Sequence, residues 1–100
     1  MKFKIKGETL SVRGIKELGA DKSQNFREQV HAALSGASKH IEIDLSQTRF
    51  LDSCGLGALI SLKKTASSRN GTVRLLNPTP RVQRLFDVTR MHKVFQIVRG

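Results

Sequence analysis

Few residues in this chain are of types and spacings that could do chemistry. The three histidines, His31, His40 and His92, are scattered and have no metal-ligand spacing to one another or to Cys54, the only cysteine. No nucleophile-elbow signature accompanies the serines, so a hydrolytic triad has no sequence support. Gly55-Leu56-Gly57 lacks the third glycine of a dinucleotide fingerprint and has no Walker lysine behind it. The segment with content is Phe50-Leu51-Asp52-Ser53-Cys54-Gly55-Leu56-Gly57, where small residues join a strand-like stretch to a helical one. Asp52 or Ser53 falls where a helix N-cap belongs. A helix start presents unpaired backbone N–H groups and partial positive charge, which a serine can cap and a phosphoserine could exploit. Gly55 and Gly57 leave room for another protein or a kinase to approach closely. Two readings follow: an ordinary cap with glycines for tight packing, or a docking and phosphoacceptor site.

The elements that must position this segment are written in hydrophobic periodicity. Lys2, Lys4 and Lys6 alternate with Phe3 and Ile5, the pattern of a strand with one wet face. Gly7-Glu8 suits a two-residue hairpin turn, after which Leu10 and Val12 resume the alternation. Beyond a loop over Gly14–Asp21, Phe26, Val30, Ala33, Leu34 and Ala37 recur at helical spacing, with Asp21 or Ser23 as candidate caps. Ile41, Ile43 and Leu45 mark a third strand. Leu56, Leu59, Ile60 and Leu62 mark a second helix that stops at Asn70-Gly71. Thr72–Leu76 predicts a fourth strand. Thr79-Pro80 is a cap with proline at the first helical position, ahead of the stripe Val82, Leu85 and Phe86. Val94–Val98 closes the chain as a strand. The predicted order is ββαβαβαβ, an α/β domain over residues 1–100 with a mixed, partly parallel sheet against which helices pack.

Composition narrows the function classes. In 100 residues, 38% hydrophobic and 26% charged side chains describe a globular chain rather than a disordered one. The longest apolar stretch, Gly55 to Leu62, ends at Lys63-Lys64 and is far short of the ~20 residues a membrane span requires. The opening MKFKIKGETL has no apolar signal region, and a lone cysteine fits a reducing compartment, so the expected setting is cytoplasmic. Net charge is +10, distributed unevenly: residues 1–52 hold nine basic and seven acidic side chains, residues 53–100 nine basic and only Asp87. Such an excess either solubilises a surface or favours anionic partners. Lys63, Lys64, Arg69, Arg81, Arg84, Arg90 and Lys93 are the expected steering charges. Trp and Tyr are absent, and Phe3, Phe26, Phe50, Phe86 and Phe95 sit on or beside apolar stripes, which favours core packing over stacking on nucleic acid and weakens that reading without removing it.

Leu51-Asp52-Ser53-Cys54-Gly55-Leu56-Gly57 resembles the signature of STAS-domain anti-sigma-factor antagonists, where Asp-Ser-Ser-Gly-Leu-Gly is frequent. The resemblance extends upstream to the strand Ile41–Leu45. Downstream it extends to Asn77-Pro78 followed by Val82-Gln83-Arg84-Leu85-Phe86-Asp87, in the order that family's fold requires. It implies a non-enzymatic partner switch without cofactor or metal. The unmodified protein would bind an anti-sigma factor that is also a serine kinase, phosphorylation would release it, and a serine phosphatase would reverse the change. By position the acceptor is Ser53, and the partner-binding segment is Asp52, Ser53, Cys54, Gly55, Leu56 and Gly57. Donors at the helix start would hold the phosphate in the free protein. Cys54 replaces the second serine of the common form and is expected to be an inert, packed thiol. The stretch Gly14-Ile15-Lys16-Glu17-Leu18-Gly19 departs from the acidic segment frequent in the family. Two other functions compete: a basic scaffold for nucleic acid or another polyanion, and a non-switching STAS subunit of a larger complex. Sequence-specific nucleic-acid recognition and membrane insertion are not expected.

Overall fold

The computed structural model describes residues 1–100. Strands β1 (Lys2–Lys6) and β2 (Thr9–Arg13) form an antiparallel hairpin, with Phe3 opposite Val12 and Ile5 opposite Leu10. Gly7 turns it at φ +61°, a conformation that costs glycine little. The chain then runs through a two-residue strand β3 (Glu17–Leu18), α1 (Ser23–Ala33), β4 (His40–Asp44), a second short strand β5 (Phe50–Leu51) and α2 (Ser53–Ser68). It ends with β6 (Val73–Leu76), α3 (Pro80–Val88), a single 3₁₀ turn at Met91–Lys93 and β7 (Gln96–Val98). The main sheet has five strands in the order β1-β2-β4-β6-β7, parallel throughout except at the β1–β2 hairpin. This is the predicted mixed α/β architecture.

Alternation decides which face the helices cover. Leu10, Val12, Ile41, Ile43, Val73 and Leu75 point one way and are all buried, while Ser11, Glu42 and Arg74 on the opposite face stay half-exposed. There Arg74 pairs with Glu42 at 3.4 Å. Phe26 and Val30 of α1, Leu59 and Leu62 of α2, and Val82 and Phe86 of α3 complete one contiguous core. No helix is long and apolar enough to cross a membrane.

Several boundaries differ from the sequence expectations, each for a tertiary reason. Neither Asp21 nor Ser23 caps α1; Lys22 occupies the cap position and makes no side-chain cap bond. The helix ends at Ala33, leaving Ala37 in an exposed turn whose carbonyls, Ser35 O and Ser38 O, accept from the Arg69 guanidinium at 2.8 and 2.9 Å. Phe3 and Ile5 remain 37% and 49% exposed because β1 is an edge strand with no helix fully over it. The closing strand begins at Gln96 rather than Val94, after the 3₁₀ turn has buried Phe95. Other signals hold as predicted. Thr79 caps α3 by accepting from Val82 N, with Pro80 at the first helical position, and Asn70 takes the left-handed conformation (φ 61°) that ends α2.

A capped helix start with an exposed serine

The short strands β3 and β5 exist for the site they frame. They pair parallel, Glu17 with Phe50 and Leu18 with Leu51, and so bring the Leu18-Gly19-Ala20 turn against the start of α2. Asp52 fastens the two together. Its backbone is extended (φ −117°, ψ −170°) while its Oδ1 accepts from Cys54 N at 2.9 Å and Gly55 N at 3.0 Å. Its Oδ2 accepts from Ala20 N at 3.0 Å. One carboxylate therefore satisfies two orphan donors of α2 and one donor of the turn that leads into α1, with the helix dipole favouring its charge. Of the two candidate caps, the structure selects Asp52; Ser53 is the first helical residue.

The glycines have different jobs. A Cβ on Gly55 would lie 2.2 Å from Leu18 O, and one on Gly19 would lie 2.8 Å from the Phe50 ring. Both are glycine so that the β3 turn and the α2 start can close on each other. Gly55 is buried, so it does not offer a partner open space, contrary to the sequence expectation. A Cβ on Gly57 would meet nothing within 4 Å, and Gly57 is exposed. Leu56, 7% exposed, is a core residue. Ser53, Cys54 and Gly57 are what this helix start presents outward; Asp52 is half-exposed between the surface and the turn. Cys54 is a free, exposed thiol and not the packed one expected.

This geometry also corrects where a phosphate on Ser53 would go. The N–H groups of Cys54 and Gly55 already bind Asp52, so the helix start has few donors left for a phosphate and a carboxylate stands beside Ser53. Ser53 Oγ lies at the surface with its helix stabilised by a neighbour. The sequence pointed to Asp52-Ser53 but gave no role at this site to Gly19 and Ala20, which it placed in the Gly14–Asp21 loop. Among the predicted steering charges, Arg69 is committed to the Ser35 and Ser38 carbonyls, whereas Lys64, Arg81, Arg84, Arg90 and Lys93 are exposed. The histidines are dispersed: His40 shares a hydrogen bond with Thr72, His92 lies 3.8 Å from Asp87, and His31 is exposed on α1.

A five-stranded mixed sheet with helices on one face, and an Asp-capped serine at the second helix start, define a STAS domain. The chain belongs to that family: the family model described as Mlab, STAS domain, matches residues 1–99. It is similar to the anti-sigma F factor antagonist of Paenibacillus polymyxa, 30% identical over 89 residues that cover 88% of this chain and 76% of the relative. Its structure is similar to the crystal structure of a Thermotoga maritima protein provisionally assigned as an anti-sigma factor antagonist. There the TM-score is 0.89 at 25% identity, over 99% of this chain and 85% of the other. The Bacillus cell fate determinant SpoIIAA in its phosphorylated form shares the fold, with a TM-score of 0.77 at 22% identity over 99% of this chain and 89% of the other.

Proposed function

We propose that this chain is a phosphorylatable protein-interaction switch of the anti-sigma-factor-antagonist kind. It binds an anti-sigma factor that acts as a serine kinase while Ser53 is unmodified, and leaves it once Ser53 carries phosphate. A serine phosphatase restores the binding form. The kinase transfers the phosphoryl group to Ser53 Oγ, and the chain itself catalyses nothing. The observation that carries this reading is the separation of cap and acceptor: Asp52 holds the helix start while the neighbouring Ser53 hydroxyl stands at the surface. The names of its relatives support it. Ser53, Cys54 and Gly57 form the contact, flat because its side chains are small, and Asp52, Gly55 and Leu56 shape it from beneath. Phosphate adds bulk and roughly −1.5 to −2 charges to a surface that must be desolvated on docking, and that cost breaks the contact. The exposed cations of the second half of the chain speed encounter with an acidic partner, in a cytoplasmic setting, without sequence-specific nucleic-acid recognition.

The test measures partner affinity and melting temperature for wild type, Ser53→Asp and Ser53→Ala. Ser53→Asp should bind weakly and melt near wild type; Ser53→Ala should bind, resist release by kinase and ATP, and take up no label. Wild-type affinity in Ser53→Asp, together with undiminished labelling of Ser53→Ala, would show that Ser53 is not the switch.

A further inference from the structure

Helix α3 carries two stripes, and only one is used by the core. Val82 and Phe86 are buried at 1% and 0% exposure. Arg81, Arg84, Leu85 and Val88, spaced i, i+3, i+4 and i+7, form a second stripe along the helix. With Phe50 and Leu51 of β5 as the facing wall, they line an open groove of about 280 Å³. Val88 is 72% exposed and Phe50 45%, so apolar surface is left uncovered here. The only charged side chains in the groove are the two arginines, and neither has a carboxylate within ion-pair distance. Asp87, the one acid on α3, is engaged by Gln83 at 2.8 Å and faces His92 at 3.8 Å.

We propose that this groove receives an amphipathic helical segment of the partner protein, apolar along one stripe and acidic on its flanks. Phe50, Leu51, Leu85 and Val88 give the groove an apolar floor of the kind on which an amphipathic helix lays its apolar face. Arg81 and Arg84 supply the complement for carboxylates, in the bidentate geometry that arginine favours. From Arg81 to Val88 the stripe runs ~10 Å at 1.5 Å per residue, the span of about two helical turns. A second copy of this chain does not fit: α2 contains no acid, α1 only Glu28 and α3 only Asp87, so no helix here offers an acidic amphipathic face. Nucleic acid would meet an apolar floor with just two cations. Phe50 and Leu51 run directly into Asp52 and Ser53, so the groove and the serine share one edge. The proposal deepens the partner-switching reading by giving the chemistry of the docking segment, and it rests on that reading in taking the occupant to be a protein.

The experiment titrates the full, isotope-labelled chain with a synthetic amphipathic peptide of about 14 residues, long enough for marginal helicity. One peptide has glutamates flanking its apolar stripe; a counterpart has lysines. Saturable amide shifts should fall on Phe50, Leu51 and Arg81–Val88 with the acidic peptide, and affinity for the basic one should be at least about tenfold lower. Arg81→Glu/Arg84→Glu should invert that preference, and Val88→Asp should weaken both, with melting temperatures near wild type because all three sites are exposed. Absence of saturable shifts, shifts elsewhere, equal affinity for the two peptides, or a preference the double variant leaves intact would overturn the proposal. So would a concentration-dependent dimer that Val88→Asp dissolves, which would give the groove to a second copy. The titration uses no kinase: groove binding without Ser53 labelling would refute the switch alone, and labelling without groove binding would refute the groove alone.

Discussion

Replacing Asp52 by alanine and, separately, Ser53 by alanine tests which of two adjacent residues holds the helix start. Asp52→Ala removes three accepted hydrogen bonds, from Cys54 N, Gly55 N and Ala20 N. Loss of an N-cap costs ~0.5–2 kcal/mol, and loss of the charge from the helix start adds ~0.3–1 kcal/mol. The Ala20 and Cys54 amides are at the surface, where water replaces the lost acceptor, so those bonds add little more; Gly55 N is partly buried and adds some. A total near 2 kcal/mol follows, which for a domain of this size lowers the melting temperature by ~8–16 °C. Ser53→Ala removes a surface hydroxyl and should fall within about 0.5 kcal/mol of wild type. Asp52→Asn, which keeps an acceptor and loses the charge, should lie between them. Thermal unfolding followed by circular dichroism distinguishes the cases. If Ser53→Ala costs ~1 kcal/mol or more while Asp52→Ala is neutral, the cap is Ser53 and the division of roles argued above collapses.

Three further outcomes are expected. Gly55→Ala forces a methyl group to 2.2 Å from Leu18 O and should cost ~1–3 kcal/mol, whereas Gly57→Ala, in open space within a helix, should gain ~0.5–1 kcal/mol; paired melting curves decide it. Arg69→Ala removes an exposed bond to Ser35 O, which water replaces, and a part-buried one to Ser38 O, and should cost ~0.5–1.5 kcal/mol, while Lys64→Ala should leave denaturant midpoints unchanged. Binding to a duplex DNA should be weak, insensitive to sequence and lost by ~150 mM salt, because only phosphate contacts are on offer; submicromolar, sequence-selective binding at that salt in fluorescence anisotropy would contradict it.

What could be read from the sequence was local. Gly7-Glu8, Asn70 and Thr79-Pro80 act within a few residues of themselves, and each does in the structure what its residue type favours. The strands β3 and β5 could not be read that way. Each is two residues long, and they exist only because Glu17 meets Phe50 and Leu18 meets Leu51, partners more than thirty positions apart. Their pairing decides the fine structure of the site. Asp52 and Ser53 are both good capping types, so composition left the choice open; it is settled by Asp52 having the extended backbone and by Ala20 N lying within reach of its Oδ2. Gly55 and Gly57 are likewise indistinguishable as letters. Two positions along a helix turn the first toward Leu18 and the second toward solvent.

That arrangement has a consequence for signalling through a single hydroxyl. A serine that capped its own helix would lend its oxygen to backbone donors, and a phosphoryl group there would be drawn into the fold. Modification would then change the stability of the helix as well as its surface. Here the donors of Cys54 and Gly55 are saturated by Asp52, and a phosphate on Ser53 stands beside that carboxylate. A phosphate of roughly −1.5 to −2 charges ~6 Å in water from a carboxylate is repelled by ~1–1.4 kcal/mol, opposed by the ~0.3–1 kcal/mol a helix start returns to an anion. The two partly offset and leave a net cost of at most about 1 kcal/mol, so the phosphorylated chain should melt no more than ~8 °C below the unmodified one and keep its phosphate at the surface. On the switch proposed above, the energy of modification would be felt where a partner must desolvate that phosphate, and where a phosphatase would reach it, rather than in the packing of α2.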